Sequence, residues 1–178
     1  MPKIIYYVAT SIDGYIAGPE DEIDGFENGP GVDKYLEDLK SFRTTIMGRR
    51  TYEFGYRYGL EPGQPAYPHM QHHIFSRSLA FDAPHPAVHI EPIDLGRIQE
   101  IRAASPTDIY LCGGGTFAGW LLENGQIDQL KIKLNPFILG EGIRLFGASK
   151  QKTSWKLAHF ERFDAGPQVL TYDRVDER

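Results

Sequence analysis

The chain is poor in several things, and each shortage narrows what it can be. Among 178 residues there is a single cysteine, Cys112, so no internal disulfide and no cysteine-built zinc site can form within it. No apolar run approaches the ~20 residues of a membrane span, and mean hydropathy is −0.38. Positive charge is in deficit. The 19 Lys and Arg stand against 24 Asp and Glu, a formal net charge of −5, which argues against a broad basic face for nucleic acid. The opening MPKIIYYVATSIDG has no charged segment leading into an apolar block, so a secretory signal is not evident. A soluble, cytoplasmic protein forming one domain over residues 1–178 is the expectation, with a small molecule as its partner.

What is present is glycine, 19 residues of it, and a regular alternation of strand and helix patterns. Lys3–Thr10 is nearly continuous in apolar and β-branched residues, as in a buried central strand. Ser11–Pro30 is a long Gly- and acid-rich connection. Its segment Glu20–Glu27 carries acids and no base, which suits a solvated lid. Val32–Arg43 has helical period through Val32, Tyr35, Leu36, Leu39 and Phe42. Thr44–Met47, His72–Ser76, Ala87–Ile90, Asp108–Cys112 and Asp128–Asn135 read as strands. Helices are expected from about Arg49 to Tyr56, at Leu95–Ala104 behind an Asp94 cap, and at Thr116–Glu123. Ser154–Phe163 and Gln168–Val175 follow with no helix between them, so they form an antiparallel hairpin. The sum is an α/β fold with a mixed, mostly parallel sheet of about eight strands.

Two turns carry chemistry. Gly113-Gly114-Gly115 lies between a strand and a helix, so bare amides at a helix start face whatever approaches. That arrangement suits a phosphate, and Gly113 to Ala118 fits the G-x-G-x-x-A form of a dinucleotide turn. The second turn is Gly48-Arg49-Arg50-Thr51, at the end of another strand. Positive side chains at a helix start are unfavourable unless an anion is supplied. Two anion sites suggest a ligand with phosphates in two places, as in NADPH. Ser76 and Arg77, at a third strand end, add a hydroxyl and another guanidinium. The plain alternatives are a tight structural turn at the glycines and solvated arginines at a surface helix.

Five segments occur in order: Ala9–Ala17 (ATSIDGYIA), Met47–Glu53 (MGRRTYE), Phe75–Leu79 (FSRSL), Leu111–Thr116 (LCGGGT) and Asn135–Gly142 (NPFILGEG). As a set they resemble the dihydrofolate-reductase-like superfamily. The chain looks most like stand-alone proteins similar to the C-terminal reductase domain of the bifunctional riboflavin-biosynthesis deaminase-reductase. The resemblance implies a three-layer fold, a homodimer, and NADPH across the carboxyl ends of the strands. By it, Arg49 and Thr51, assisted by Arg50 and flanked by Gly48, hold the 2′-phosphate and pyrophosphate. Ser76 and Arg77 flank the adenosine end. Gly113, Gly114, Gly115, Thr116 and Phe117 cradle the pyrophosphate, Ala9 and Ile16 line the nicotinamide, and Asp13-Gly14 opens the loop over it.

The resemblance also exposes departures. Riboflavin-pathway reductases have a glutamate immediately before the glycine turn, where this chain has Cys112. That weighs against a ribosylaminopyrimidine substrate. Dihydrofolate reductases carry a proton-relaying acid on the first helix. With about 100° per residue, Asp33 falls nearer the apolar arc than Glu37 and is the better candidate, with Asp13 as the other acid near the site. The expected activity is therefore hydride transfer from NADPH to a small heterocyclic or sugar-like substrate. Reduction of 5-amino-6-(5-phosphoribosylamino)uracil is the first reading, with dihydrofolate reduction or a non-catalytic NADPH-binding module as alternatives. No metal is expected: His69, His72 and His73 have no acid cluster beside them in the sequence.

Overall fold

The apolar opening run forms β1 (Ile4–Thr10) at the middle of the sheet, hydrogen-bonded on both sides. The structure is a computed structural model that describes residues 1–26, 29, 31–164 and 166–175. In chain order it continues with β2 (Tyr15–Ala17), α1 (Val32–Leu39), β3 (Thr44–Gly48), α2 (Arg49–Phe54), β4 (Gln71–Phe75), β5 (Val88–Glu91) and α3 (Leu95–Ala104). Then come β6 (Ile109–Gly113), α4 (Gly115–Glu123), β7 (Gln129–Leu134), β8 (Ile143–Arg144), β9 (Trp155–Arg162) and β10 (Gln168–Arg174).

The main sheet has the order β5-β4-β3-β6-β1-β7-β10-β9. The six strands from β5 to β7 run parallel, and β10 and β9 close the edge antiparallel. This is the mixed, mostly parallel α/β sheet that the strand–helix alternation predicts. Parallel pairing places the ends of β1, β3, β4 and β6 along one rim, where open α/β sheets bind their ligands.

Strand alternation sorts β1 into two faces. Ile4 and Tyr6 join Ile109 and Leu111 of β6 under Phe117 and Leu121 of α4 and Ile98 of α3. Ile5 and Tyr7 face the other way, with Tyr110, Leu39 and Phe42. Asp94 caps α3 as expected, its carboxylate accepting from the Arg97 amide at 3.0 Å.

Three details depart from the sequence reading. The first helix ends at Leu39 rather than Arg43, because the amides of Lys40, Ser41 and Phe42 turn back three residues to Glu37, Asp38 and Leu39. Its inward stripe is Tyr35, Asp38, Leu39 and Phe42, while Leu36 is 54% exposed. The acid at position 38 sits on the buried stripe, so weighting apolar residues alone rotates the predicted face. Finally, β2 and β8 form a small antiparallel sheet that no periodicity announces, each being too short to show one.

Candidate functional site

At the end of β6 the chain turns through Gly113, Gly114 and Gly115 into α4. Each glycine has a local reason. Gly113 has φ +128°, in the region that penalises a side chain. A Cβ on Gly114 would lie 2.9 Å from the Thr51 hydroxyl, and one on Gly115 would run into the Arg144 carbonyl. The turn is thus wedged between the start of α2 and the Arg144–Gly147 segment. Among the described residues, the amides of Gly114, Gly115, Thr116 and Phe117 have no hydrogen-bond acceptor, and the first helical bond is from Ala118 to Gly114. Four donors at the positive end of a nine-residue helix form a fitting seat for a phosphate.

Thr51 brings the second turn against the first. Arg49 is exposed, but its guanidinium is fixed. Nε donates to Glu53 at 2.9 Å and one terminal nitrogen to the Ser78 hydroxyl at 2.9 Å. Arg50 points elsewhere and donates to Asp21 at 2.9 Å. Arg57 also donates to the Glu20 carbonyl, at 3.1 Å. The acidic loop is therefore tied down at residues 20–21 by two arginines rather than wholly solvated; Glu27 of that loop lies outside the described residues. Ser76 spends its hydroxyl within the loop, accepting from the amides of Ser78 and Leu79. Arg77 is exposed and makes no ion pair among the described residues. So the rim brings together Gly48, Arg49, Thr51, Gly113 to Phe117 and, through Ser78, the Ser76–Arg77 turn, while Arg50 serves the loop.

The two predicted acids occupy unlike places. Asp13 is a clamp. It accepts from the Ser11 hydroxyl at 2.5 Å and from the amides of Leu139 at 3.1 Å and Gly140 at 2.8 Å. Those bonds, the Ser11 hydroxyl's foremost, hold its pKa down to about 2, which suits anchoring a loop and not giving a proton. Asp33 is exposed on α1 and turned away from the sheet. The acid that α1 does turn inward is Asp38, which the sequence reading passed over. It meets Lys131 at 2.6 Å, Lys34 at 3.1 Å and the Tyr7 hydroxyl at 3.0 Å. Burial opposes its charge, but those partners prevail and hold its pKa below the usual range. A cleft of about 340 Å³ opens between Asp13–Tyr15 and the Arg144–Ser149 segment, beside the loop that Asp13 anchors. Ala9 and Ile16 are both half-buried, Ala9 at the end of β1 and Ile16 in β2.

Sequence reasoning also missed a phenol cluster. On the α1 side of the sheet, Tyr35 and Tyr110 join hydroxyls at 2.6 Å. Tyr35 also lies 3.4 Å from the Tyr67 hydroxyl, which lies 3.7 Å from the Cys112 sulfur. Burial raises the pKa of all four, that of Tyr35 to about 12, so the cluster keeps its protons and stays neutral. The spacing of Tyr35, Tyr67 and Tyr110 in sequence carries no signal; only the fold gathers them beside the glycine turn. Among the described residues no cluster of His, Cys, Asp or Glu has a metal-binding arrangement.

With this geometry in place, comparison with known proteins is decisive on one point. The family model described as the RibD C-terminal domain matches residues 2–169. The chain belongs to that family. The Bacillus subtilis protein YyaP, named as uncharacterized, is 24% identical over 178 residues, covering 96% of this chain and 94% of that one. A Shewanella sp. PV-4 protein, provisionally named a riboflavin biosynthesis protein, superposes with a TM-score of 0.80 at 22% identity, over 99% of this chain and 100% of that one. Dihydrofolate reductase from Enterococcus faecalis, complexed with NADP(H) and RAB-propyl, gives a TM-score of 0.69 at 16% identity, over 98% of this chain and 97% of that one. At such identities the structural likenesses show the shared fold, which is the three-layer architecture expected from the ordered motifs.

Proposed function

We propose that the chain is an NADPH-dependent reductase that delivers hydride to a C=N or C=O group of a small heterocyclic or sugar-like substrate. The observation that carries this reading is the abutment of the two turns. The open amides at the start of α4 and the Arg49–Thr51 turn meet at Gly114 and Thr51, close enough together for one dinucleotide to use both. Family membership and the NADP(H)-bound relative of the same fold support it.

The nicotinamide, when bound, supplies the hydride; the chain supplies position and electrostatics. The α4 amides would bind the pyrophosphate. Arg49, already aligned by Glu53 and Ser78, would hold the 2′-phosphate, and Arg77 would add a second guanidinium. Ala9 and Ile16 would border the reactive ring. Cys112 and Tyr67, both half-buried, would border the substrate as a neutral hydrogen-bonding corner, with Tyr110 buried behind them.

Reduction of 5-amino-6-(5-phosphoribosylamino)uracil is the first reaction to assay, on family grounds. The neutral corner at Cys112 favours a substrate without the groups a glutamate there would bind. Dihydrofolate reduction is disfavoured, because the inward acid of α1, Asp38, is committed to two lysines and a phenol. The experiment is calorimetric titration with NADPH and with NADH. Arg49→Ala should weaken NADPH by about tenfold or more, as expected for loss of a charge-assisted phosphate contact, and leave NADH nearly unchanged. Equal weakening of both cofactors removes the 2′-phosphate assignment. Binding with no NADPH oxidation across pyrimidine, pterin and carbonyl substrates favours a non-catalytic binding module.

A further inference from the structure

Lys133, on β7, is a buried amine that nothing above employs. It is 4% exposed. Its one hydrogen bond among the described residues is to the Phe26 carbonyl, at 3.2 Å, which leaves the rest of its ammonium donors without an acceptor there. The charged groups around it have other partners or face water. On the same side of the sheet, Asp38 is held by Lys131 at 2.6 Å and Lys34 at 3.1 Å, and Glu161, across β10, by Lys34 at 3.2 Å. Asp24 of the loop, Asp33 of α1 and Asp164 beyond β9 are exposed. None of these acids forms an ion pair with Lys133.

A buried charge without a counter-ion costs stability, and methionine would fill much the same volume at less cost. Burial pulls the pKa of this amine below the ordinary lysine value, with no acid to oppose it. A side chain that weakens the fold where it stands points to a task other than holding the fold together.

Its place in the sheet says which task. Lys133 stands opposite Ala9 of β1, as Lys131 stands opposite Tyr7. Alternation puts all four side chains on the α1 side, and Ala9 is the residue assigned above to the reactive ring. Over the amine lie Phe26 and Gly31, where a Cβ would come within 3.4 Å of the Lys133 stem. The ammonium is thus enclosed between the nicotinamide edge and the segment that leads into α1. The other candidates for giving a proton there are unsuited. Asp13 is held ionised, Asp33 is exposed and Asp38 is committed to lysines. Burial makes Tyr35, Tyr67, Tyr110 and Cys112 weaker acids than usual.

We infer that Lys133 is the proton donor of the reduction, an inference that rests on the proposed reductase function. When the substrate carbon receives hydride, the electron pair of its C=N or C=O bond moves onto the nitrogen or oxygen. A new N–H or O–H bond forms there as an N–H bond of the Lys133 ammonium breaks. The lysine is left neutral and regains its proton from water, and the cofactor is the species oxidised. A buried lysine serves this step better than an exposed one, because a lowered pKa brings the acid nearer to working pH.

Lys133→Met tests this in the full-length chain, with 5-amino-6-(5-phosphoribosylamino)uracil and then the pyrimidine, pterin and carbonyl panel as substrates. The variant should lose about 100-fold in kcat while NADPH affinity by calorimetry is unchanged. The wild-type kcat should fall as pH rises through the pKa of the amine, because only the ammonium can donate, and the variant should lack that limb. Its midpoint in denaturant should equal or exceed that of the wild type. A variant that keeps both kcat and the pH limb overturns the proposal while leaving the reductase function standing. A variant that unfolds at markedly lower denaturant also overturns it and makes Lys133 a structural residue. A wild type that binds NADPH and oxidises it with no substrate of the panel removes the reductase function, and the proton donor with it.

Discussion

On the α3–α4 side of the sheet, Ile4, Ile109, Leu111, Ile98 and Leu121 pack with almost no polar atoms. The one fully buried phenol there, Tyr6, is satisfied by the Leu145 carbonyl at 3.0 Å. On the α1 side the same strands present Tyr7 and Tyr110, which meet Tyr35, Tyr67, Cys112 and an ion cluster at Asp38. Both faces exclude water, but by unlike means. Apolar packing stabilises in proportion to buried area and asks for no partner. A phenol cluster must satisfy every hydroxyl and gains little net stability for doing so. The phenol cluster lies beside the glycine turn, and the aliphatic face is the platform that holds the rim in place.

The largest expected effect lies on the platform. Leu121 is fully buried, and Leu121→Ala should lower unfolding free energy by about 2–5 kcal/mol, measured by denaturant titration. A comparable loss from Tyr110→Phe would erase the contrast between the faces. Next comes acid. His72 is buried and neutral, its ring bonded to the Met70 carbonyl and accepting the Tyr67 amide, and burial lowers its pKa from 6.5 to about 4. The unfolded chain therefore binds more protons than the folded chain between those values. The stability from keeping this ring neutral is present above pH 6.5 and is lost as pH falls toward about 4. His72→Gln should flatten that part of a stability–pH profile; an unchanged slope would assign the acid limb to other groups. Tyr110→Phe, which removes the hydroxyl bonded to Tyr35, should cost only about 1 kcal/mol in the same denaturant titration. The smallest effect belongs to the loop tether. Asp21→Asn breaks an exposed pair with Arg50 worth at most about 1 kcal/mol, and should raise proteolytic cleavage near residues 18–26 without moving the global melting temperature.

Much of the fold was legible because its signals are local. β1 begins at Ile4 where Lys3 was expected, β6 ends at Gly113 and not Cys112, and α3 spans Leu95–Ala104 behind its Asp94 cap as read. The hairpin of β9 and β10 followed from two strand patterns with no helix between them. The candidate cofactor rim was legible for a similar reason, since glycines and arginines at strand ends are visible in one dimension. The inward acid was not. The helical arc weighs Asp33 against Glu37, and the rotation that brings Asp38 inward, to Lys131 on a strand 93 residues away, depends on what α1 packs against. The β2–β8 sheet was hidden because strands of three and two residues show no period.

The sequence by itself determined the alternation of strands and helices, the turns that leave amides open at α4, and the scarcity of cysteine and of positive charge. The first two depend on neighbours within a few residues, and the last is composition alone. The tertiary structure decided which residues meet. It tied Arg50 to the acidic loop, fixed Arg49 at the rim through Glu53 and Ser78, enclosed Asp38 between lysines, and gathered three tyrosines and Cys112 into one neutral corner. Those outcomes depend on strand order and helix rotation, which are fixed only when both faces of the sheet are buried together.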